Sequence, residues 1–392
     1  MLEGCPVGRP LRWYLPDALY EVTTRTAQER FLLRPGPEER DLVLGVIGRG
    51  LALYAQVMLH AFVYLSNHMH MLLSARDPRQ LAPFIGYVNG NVARRIGRLR
   101  EWTGPFWAGR AKVIPVLDDE SAEGRLRYIL AHGVKEGLVE RPEDWPGASS
   151  TPALLGETLR GRWVTRARTR RTDALAAAPG EDGTYEIPIT PLPAWARMSP
   201  AQRIERARAL CASIVTEYQS RRDVPALGVA NVLATEPTER PAEPAHRVAP
   251  CCHASTPELR AAYRRAYAAF TEAYRAAATA LEGDVVPYRG GFPPGSFGGG
   301  RQLVQSTTCV APWLEPRFSS GAALPPDVLP IEQHVTDASL RMTRGARSTA
   351  PPRPRRSGTR KRSPRASGAG ADGARSPPRR RRRHRARDHD PV

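Results

Sequence analysis

Cysteine is scarce in this chain and poorly spaced for structural work. The five cysteines (Cys5, Cys211, Cys251, Cys252 and Cys309) are odd in number and contain no C-x-x-C pair, so neither a disulfide framework nor a cysteine zinc site is supported. Long apolar runs are missing too. No stretch of about 18 apolar residues occurs, and the opening MLEGCPVGRPLRWYLPD lacks the apolar centre of a signal peptide. The expectation is a soluble, cytoplasmic protein with no membrane partner. Acidic residues are also in short supply, with 39 Asp and Glu against 58 Lys and Arg and a net charge of +19.

The excess charge is concentrated at one end. Residues 341–392 hold 17 Arg and one Lys against Asp372, Asp388 and Asp390, a net +15 of the total +19. A polybasic segment of this kind attracts nucleic acid through counterion release and reads no sequence. At 392 residues, with 38 Pro and 33 Gly, the chain exceeds one average domain and part of it is expected not to pack. The composition suggests three regions: a folded domain over 18–150, an extension over 151–323 and a disordered Arg-rich tail over 324–392.

Within 18–150, strand and helix signals alternate. Tyr20-Glu-Val-Thr-Thr-Arg25 is rich in β-formers, and Leu42, Val46, Ile47, Leu51 and Tyr54 recur at helical spacing. Residues 56–64 and 69–74 read as two strands around a Ser66-Asn67 turn. Leu81, Phe84, Ile85, Val88, Val92, Ile96 and Leu99 then form one helical stripe. A fourth strand follows over 110–117, and Asp118 caps a third helix that runs to about Ala131. The order βαββαβ predicts an α+β, ferredoxin-like (split βαβ) antiparallel sheet with helices on one face, leaving the other for chemistry or nucleic acid. In the extension, Ser199-Pro200 and Thr256-Pro257 open two amphipathic helices over about 199–222 and 256–283, joined by Pro- and Gly-rich linkers.

Two elements could carry chemistry. On a strand, His68 and His70 project to one side while Met69 and Met71 project to the other, which is the geometry of a two-imidazole metal site. Taken alone, such a pair is weak evidence, since two histidines on a partly exposed strand more often simply face solvent. On the third helix, Tyr128 and His132 stand four residues apart on one face. A helix docked on the sheet could present both to the histidine pair.

The runs Tyr20-Glu-Val-Thr-Thr-Arg25, Leu65-Ser-Asn-His-Met-His-Met-Leu-Leu73, Gly104-Pro-Phe-Trp-Ala-Gly-Arg-Ala-Lys112, Leu126-Arg-Tyr-Ile-Leu-Ala-His-Gly-Val-Lys-Glu-Gly-Leu-Val139 and Asp144-Trp-Pro146 with Ser149-Ser150 follow in order. In that order and spacing the chain resembles the single-tyrosine HUH transposases, and within them the REP-associated tyrosine transposases. The resemblance covers about a third of the chain. It implies a ferredoxin-like fold and metal-dependent cleavage and rejoining of single-stranded or hairpin DNA through a 5′-phosphotyrosine. Carried over by motif position, Tyr128 is the nucleophile and His68 and His70 are metal ligands. His132 stands where the family commonly has Asn as a third polar ligand. Mg²⁺ or Mn²⁺ is the family's metal, although three imidazoles suit Mn²⁺ or Zn²⁺ better than the oxygen-seeking Mg²⁺. The family includes monomers and dimers, so a homodimer is within its range.

The chain departs from the pattern at Glu21, where the family often has His, and at His132-Gly133, where it has Asn-Pro. Glu21 bears on local substrate contacts, and Gly133 could loosen the end of the tyrosine helix. Arg25, Arg94, Arg95, Arg98, Arg110 and Lys112 are candidate phosphate contacts, and Trp107 is a candidate for base stacking. The reading is a DNA transposase that nicks and transfers single strands and associates with the nucleoid. The alternatives are a domesticated, catalytically silent DNA-binding regulator and a nuclease that uses water instead of tyrosine.

Overall fold

A computed structural model describes residues 10–164, 183–241, 249–282 and 292–296, all within one compact unit that ends at Ala322. The expected disordered tail over 324–392 lies outside the described residues. The elements are β1 (Leu19–Arg25), α1 (Pro37–Leu53), β2 (Val57–Tyr64), β3 (His68–Ala75), α2 (Leu81–Leu99), β4 (Lys112–Val116), α3 (Asp119–Lys135), α4 (Thr151–Leu154), β5 (Arg160–Trp163), β6 (Gly183–Glu186), α5 (Pro200–Gln219), α6 (Val229–Ala234) and α7 (Pro257–Glu282).

The first four strands form an antiparallel sheet in the order β2-β3-β1-β4. Each of α1 and α2 joins two strands that flank a third, which is the split βαβ arrangement expected from the pattern. Alternation along the strands sorts the side chains. Tyr20, Val22, Met69, Met71 and Leu73 pack against Val43, Ile47 and Leu51 of α1 and against Phe84, Val88, Val92 and Ile96 of α2 in one core. Leu19, Ala61, Val63, Leu72 and Val116 face the other way, onto Leu126, Ile129, Leu130 and Val134 of α3. Thus α1 and α2 share one face as expected, while the opposite face receives α3, with Leu210, Cys211 and Ile214 of α5 packed behind it. Both helices of the extension are present.

A bulge in β2 between Leu59 and Ala61 switches the face of the strand. The intervening His60 is buried, its Nδ1 3.0 Å from the Thr190 carbonyl and its Nε2 2.9 Å from Ser74 Oγ. Burial drives its pKa down to about 4 against the opposing effect of the Pro191 and Thr190 carbonyls, so the ring stays neutral in the fold.

Local chemistry sets the helix ends. Asp118 caps α3 by accepting from Ser121 N at 2.8 Å, and Ser199 forms a reciprocal capping box with Gln202 at the start of α5. The third helix runs four residues past the expected end at Ala131. A Cβ at Gly133 would come within 3.1 Å of Val139 and 3.3 Å of Trp145, so the glycine seats the helix end tightly on these two side chains instead of loosening it. Trp145, from the Asp144-Trp-Pro146 motif, also donates to the Tyr64 carbonyl at 3.0 Å.

The β5–β6 hairpin, which the sequence pattern did not indicate, lies across α1. A Cβ on Gly45 would stand 2.1 Å from the Arg162 carbonyl oxygen, and one on Gly161 would stand 2.2 Å from the Leu44 carbonyl. Only backbone fits between helix and strand there. Among the described cysteines, Cys211, Cys251 and Cys252 are free thiols; Cys5 and Cys309 lie outside the described residues.

Gly45→Ala should destabilise the chain by at least about 1–3 kcal/mol in denaturant unfolding, since the clash is with backbone. Gly86→Ala, in the open middle of α2 with nothing within 4 Å, should stabilise it by up to about 1 kcal/mol. A second expectation concerns pH. Unfolded His60 takes up a proton near 6.5 and folded His60 only near 4, so its contribution is intact above pH 6.5 and lost as pH falls toward 4. Unfolding free energies measured from pH 7 to 4 should fall by about 3 kcal/mol more in the wild type than in His60→Gln.

Candidate active site

The candidate site lies where β3 passes beneath α3. Strand alternation puts His68 and His70 on the α3 side, and one turn of α3 separates Tyr128 from His132. All three imidazoles are buried, His132 at 1% exposure, while Tyr128 is half-buried. His68 Nε2 stands 2.7 Å from His132 Nε2, and the ring of His70 is 4.7 Å from that of His132 and 5.3 Å from that of Tyr128. One ligating atom from each histidine lies within 4.8 Å of the others, so the group could hold a metal ion.

The outer nitrogens determine which atoms face inward. His68 Nδ1 is 2.6 Å from Asn67 Oδ1, and His70 Nδ1 is 2.8 Å from Glu21 Oε1, so each Nδ1–H donates to an oxygen and leaves Nε2 as the inward nitrogen. This carboxylate or amide support is what a ligating histidine needs from its surroundings. The facing Nε2 atoms of His68 and His132 need one shared proton or one cation between them. His132 Nδ1 has no hydrogen-bond partner among the described residues. Desolvation, followed by the charges of neighbouring His70, Arg25 and Lys135, holds His68 and His132 well below the ordinary histidine range. Their neutral rings fit a cation, and an all-imidazole donor set fits Mn²⁺ or Zn²⁺ better than Mg²⁺.

Glu21 is the buried anion of the site. Its Oε2 lies 2.5 Å from His253 Nε2 and 3.6 Å from Arg125. Burial opposes its ionisation, but hydrogen bonds from His253 and His70 outweigh that and hold the carboxyl below the usual range. Two cations flank the phenol ring of Tyr128, with Arg125 Cζ 4.4 Å and Lys135 Nζ 5.0 Å from its centroid. Beside it opens a cleft of about 410 Å³ whose walls include Glu21, His70, Tyr128 and His253 and the cations Arg25, Arg110, Lys112 and Arg125. The four cations on these walls favour an anionic ligand.

The structure therefore brings together Tyr128, His68, His70, His132, Arg25, Arg110 and Lys112. Arg94, Arg95 and Arg98 stand apart. They sit on α2, on the other side of the sheet, around a separate cleft of about 350 Å³. Arg95 stacks on Trp163, with its Cζ 3.6 Å from the ring centroid, and donates to the Val164 carbonyl. Trp107 packs against the α1/α2 core and donates to the Asn89 carbonyl at 2.9 Å. Sequence reasoning missed Arg125, Lys135 and His253. The spacing of Arg125 and Lys135 from Tyr128, three before and seven after, was a readable signal for the helix face; no local pattern marked His253. Glu21 was read as a departure from a motif, and it is the anchor of His70.

No family model matches the chain, and no curated protein matches it. The similar solved structures include these two. One is a REP-associated tyrosine transposase bound to a REP hairpin, 18% identical, covering 37% of this chain and 82% of that one with a TM-score of 0.32. The other, described as a transposase from Deinococcus radiodurans R1, is also 18% identical and covers 33% of this chain and 95% of its own, with a TM-score of 0.24.

Calorimetric titration should show Mn²⁺ binding that His70→Ala weakens by more than the roughly 10–100-fold cost of losing an outer partner. His132→Asn, which exchanges an imidazole for an amide oxygen, should shift preference toward Mg²⁺.

Proposed function

We propose that this chain is a DNA transposase that cleaves and rejoins single-stranded or hairpin DNA through a covalent 5′-phosphotyrosine at Tyr128. The observation that carries the reading is the convergence, on one cleft, of the half-buried phenol of Tyr128, the imidazole of His70 and the cations Arg25, Arg110, Lys112 and Arg125, with His68 and His132 clustered beside His70. A structural tyrosine needs none of these neighbours.

Each residue then has a task. The cleft cations bind the DNA backbone, since phosphate contacts position a strand and fix its register. Arg125 and Lys135 pack on the Tyr128 ring and hold it at the cleft wall, and their charges favour a developing phenolate. Tyr128 Oη attacks the phosphorus, the P–O3′ bond breaks, the 3′-oxygen takes up a proton, and the phenolic proton passes to solvent. Rejoining reverses this: a 3′-OH attacks the phosphotyrosine and the phenol is restored. His68, His70 and His132 would hold a divalent metal ion, which when bound supplies Lewis acidity toward the phosphate oxygens.

Incubating the purified chain with labelled single-stranded hairpin DNA and Mn²⁺ or Mg²⁺ should give a protein–DNA adduct on a denaturing gel. Tyr128→Phe should abolish it and lower cleavage by at least about 10³-fold. Cleavage that survives in Tyr128→Phe points to a water-using nuclease. Binding without cleavage under either metal points to a silent DNA-binding regulator.

A further inference from the structure

We infer that residues 249–255, far outside the βαββαβ core, belong to the active site, and that His253 is a positioning residue which fixes His70 through the shared carboxylate of Glu21. The inference rests on the three-histidine metal site described above and names a further residue on which that site depends.

Glu21 is 2% exposed, and a buried carboxyl group is costly unless both oxygens have partners. Oε1 accepts from His70 Nδ1 at 2.8 Å. For Oε2 the neighbours are His253 Nε2 at 2.5 Å, a close charge contact without hydrogen-bond alignment, and Arg125 at 3.6 Å, beyond hydrogen-bond range. His253 is therefore the second tie. A carboxylate held at both oxygens cannot turn about its own bond, so Oε1 stays in place and with it the ring plane and tautomer of His70. Without His253, Oε2 is drawn toward Arg125, and Oε1 swings off His70.

The segment that delivers His253 is itself anchored to the elements that make the site. His253 N donates to the Pro115 carbonyl at 2.8 Å, and Leu117 N donates to the His253 carbonyl at 2.9 Å, forming a parallel bridge on the free edge of β4. Two residues later, Ser255 N donates to Asp118 Oδ2 at 2.9 Å, and Asp118 is the N-cap of the tyrosine helix. Immediately before His253, Cys252 is buried in the α1/α2 core. From this edge the imidazole reaches across β4 to the face shared by His70 and Tyr128, and Ala249, Pro250 and His253 line the same cleft as Tyr128. A segment bonded both to β4 and to the cap of α3 ties the extension to the two elements that flank the cleft.

The test is Mn²⁺ titration of the full chain by calorimetry, comparing wild type, His253→Ala, His253→Gln, Glu21→Ala and the double variant Glu21→Ala/His253→Ala. Both alanine variants should weaken Mn²⁺ binding by roughly 10–100-fold. His253→Gln keeps an N–H for Glu21 and should recover most of the affinity. Because His253 acts through Glu21, the double variant should bind no worse than Glu21→Ala alone. Wild-type affinity in His253→Ala, or losses that multiply in the double variant, would overturn the inference while leaving the metal site standing. A wild-type chain that takes up no Mn²⁺ would overturn the metal site itself, and this inference with it.

Discussion

Burial of β3 on both faces is the constraint from which the rest follows. All eight residues from His68 to Ala75 are shielded from water, and alternation divides them between methionines on the α1/α2 side and histidines on the α3 side. Buried imidazoles must find partners. Asn67 takes one nitrogen of His68, His132 faces the other, and Glu21 takes His70. Glu21 then needs a second partner, and His253 stands against its other oxygen. The polar site is thus a chain of obligations begun by the placement of one strand, and its links draw in elements distant in sequence.

The tyrosine helix is held from both sides. Leu126, Ile129 and Val134 seat α3 on the sheet, and α5 braces its outer surface through apolar contact and through ion pairs of Arg127 with Glu217 and Arg206 with Glu123. Trp195 donates to Glu123 at 3.0 Å, and Arg222 reaches the Val134 carbonyl near the helix end. Under the proposed function such bracing would hold Tyr128 in place, since small misplacements of a nucleophile cost rate steeply. The extension beyond residue 150 packs on the helix that carries Tyr128.

Charge is partitioned by the same sheet. The cations that share a cleft with Tyr128 come from β1, β4, α3 and the loop before β4, while the arginine stripe of α2 lies on the far side and is engaged in part by Trp163 and the Val164 carbonyl. Helical periodicity shows that Arg94, Arg95 and Arg98 sit together. It does not show which side of the sheet they occupy, because that depends on the direction in which the crossover packs.

Within residues 18–150 the sequence by itself determined the main strands and helices, their order and the parity of their residues. Period-2 alternation placed His68 with His70, a four-residue interval placed Tyr128 with His132, and Asp118 and Ser199 marked the helix starts, all through backbone geometry that acts over a few residues. The third helix runs four residues past the expected end at about Ala131, and Gly133, expected to loosen that end, is packed on Trp145 and Val139. The β5–β6 hairpin was invisible because its stability comes from close contact between Gly45 and Gly161, 116 positions apart, and four-residue strands carry little pattern of their own. Tertiary structure alone decided that Glu21 holds His70 and that His253 holds Glu21. Hydrogen bonds between buried side chains depend on where the fold brings distant segments, and nothing in the local spacing of residues 21, 70 and 253 encodes their meeting.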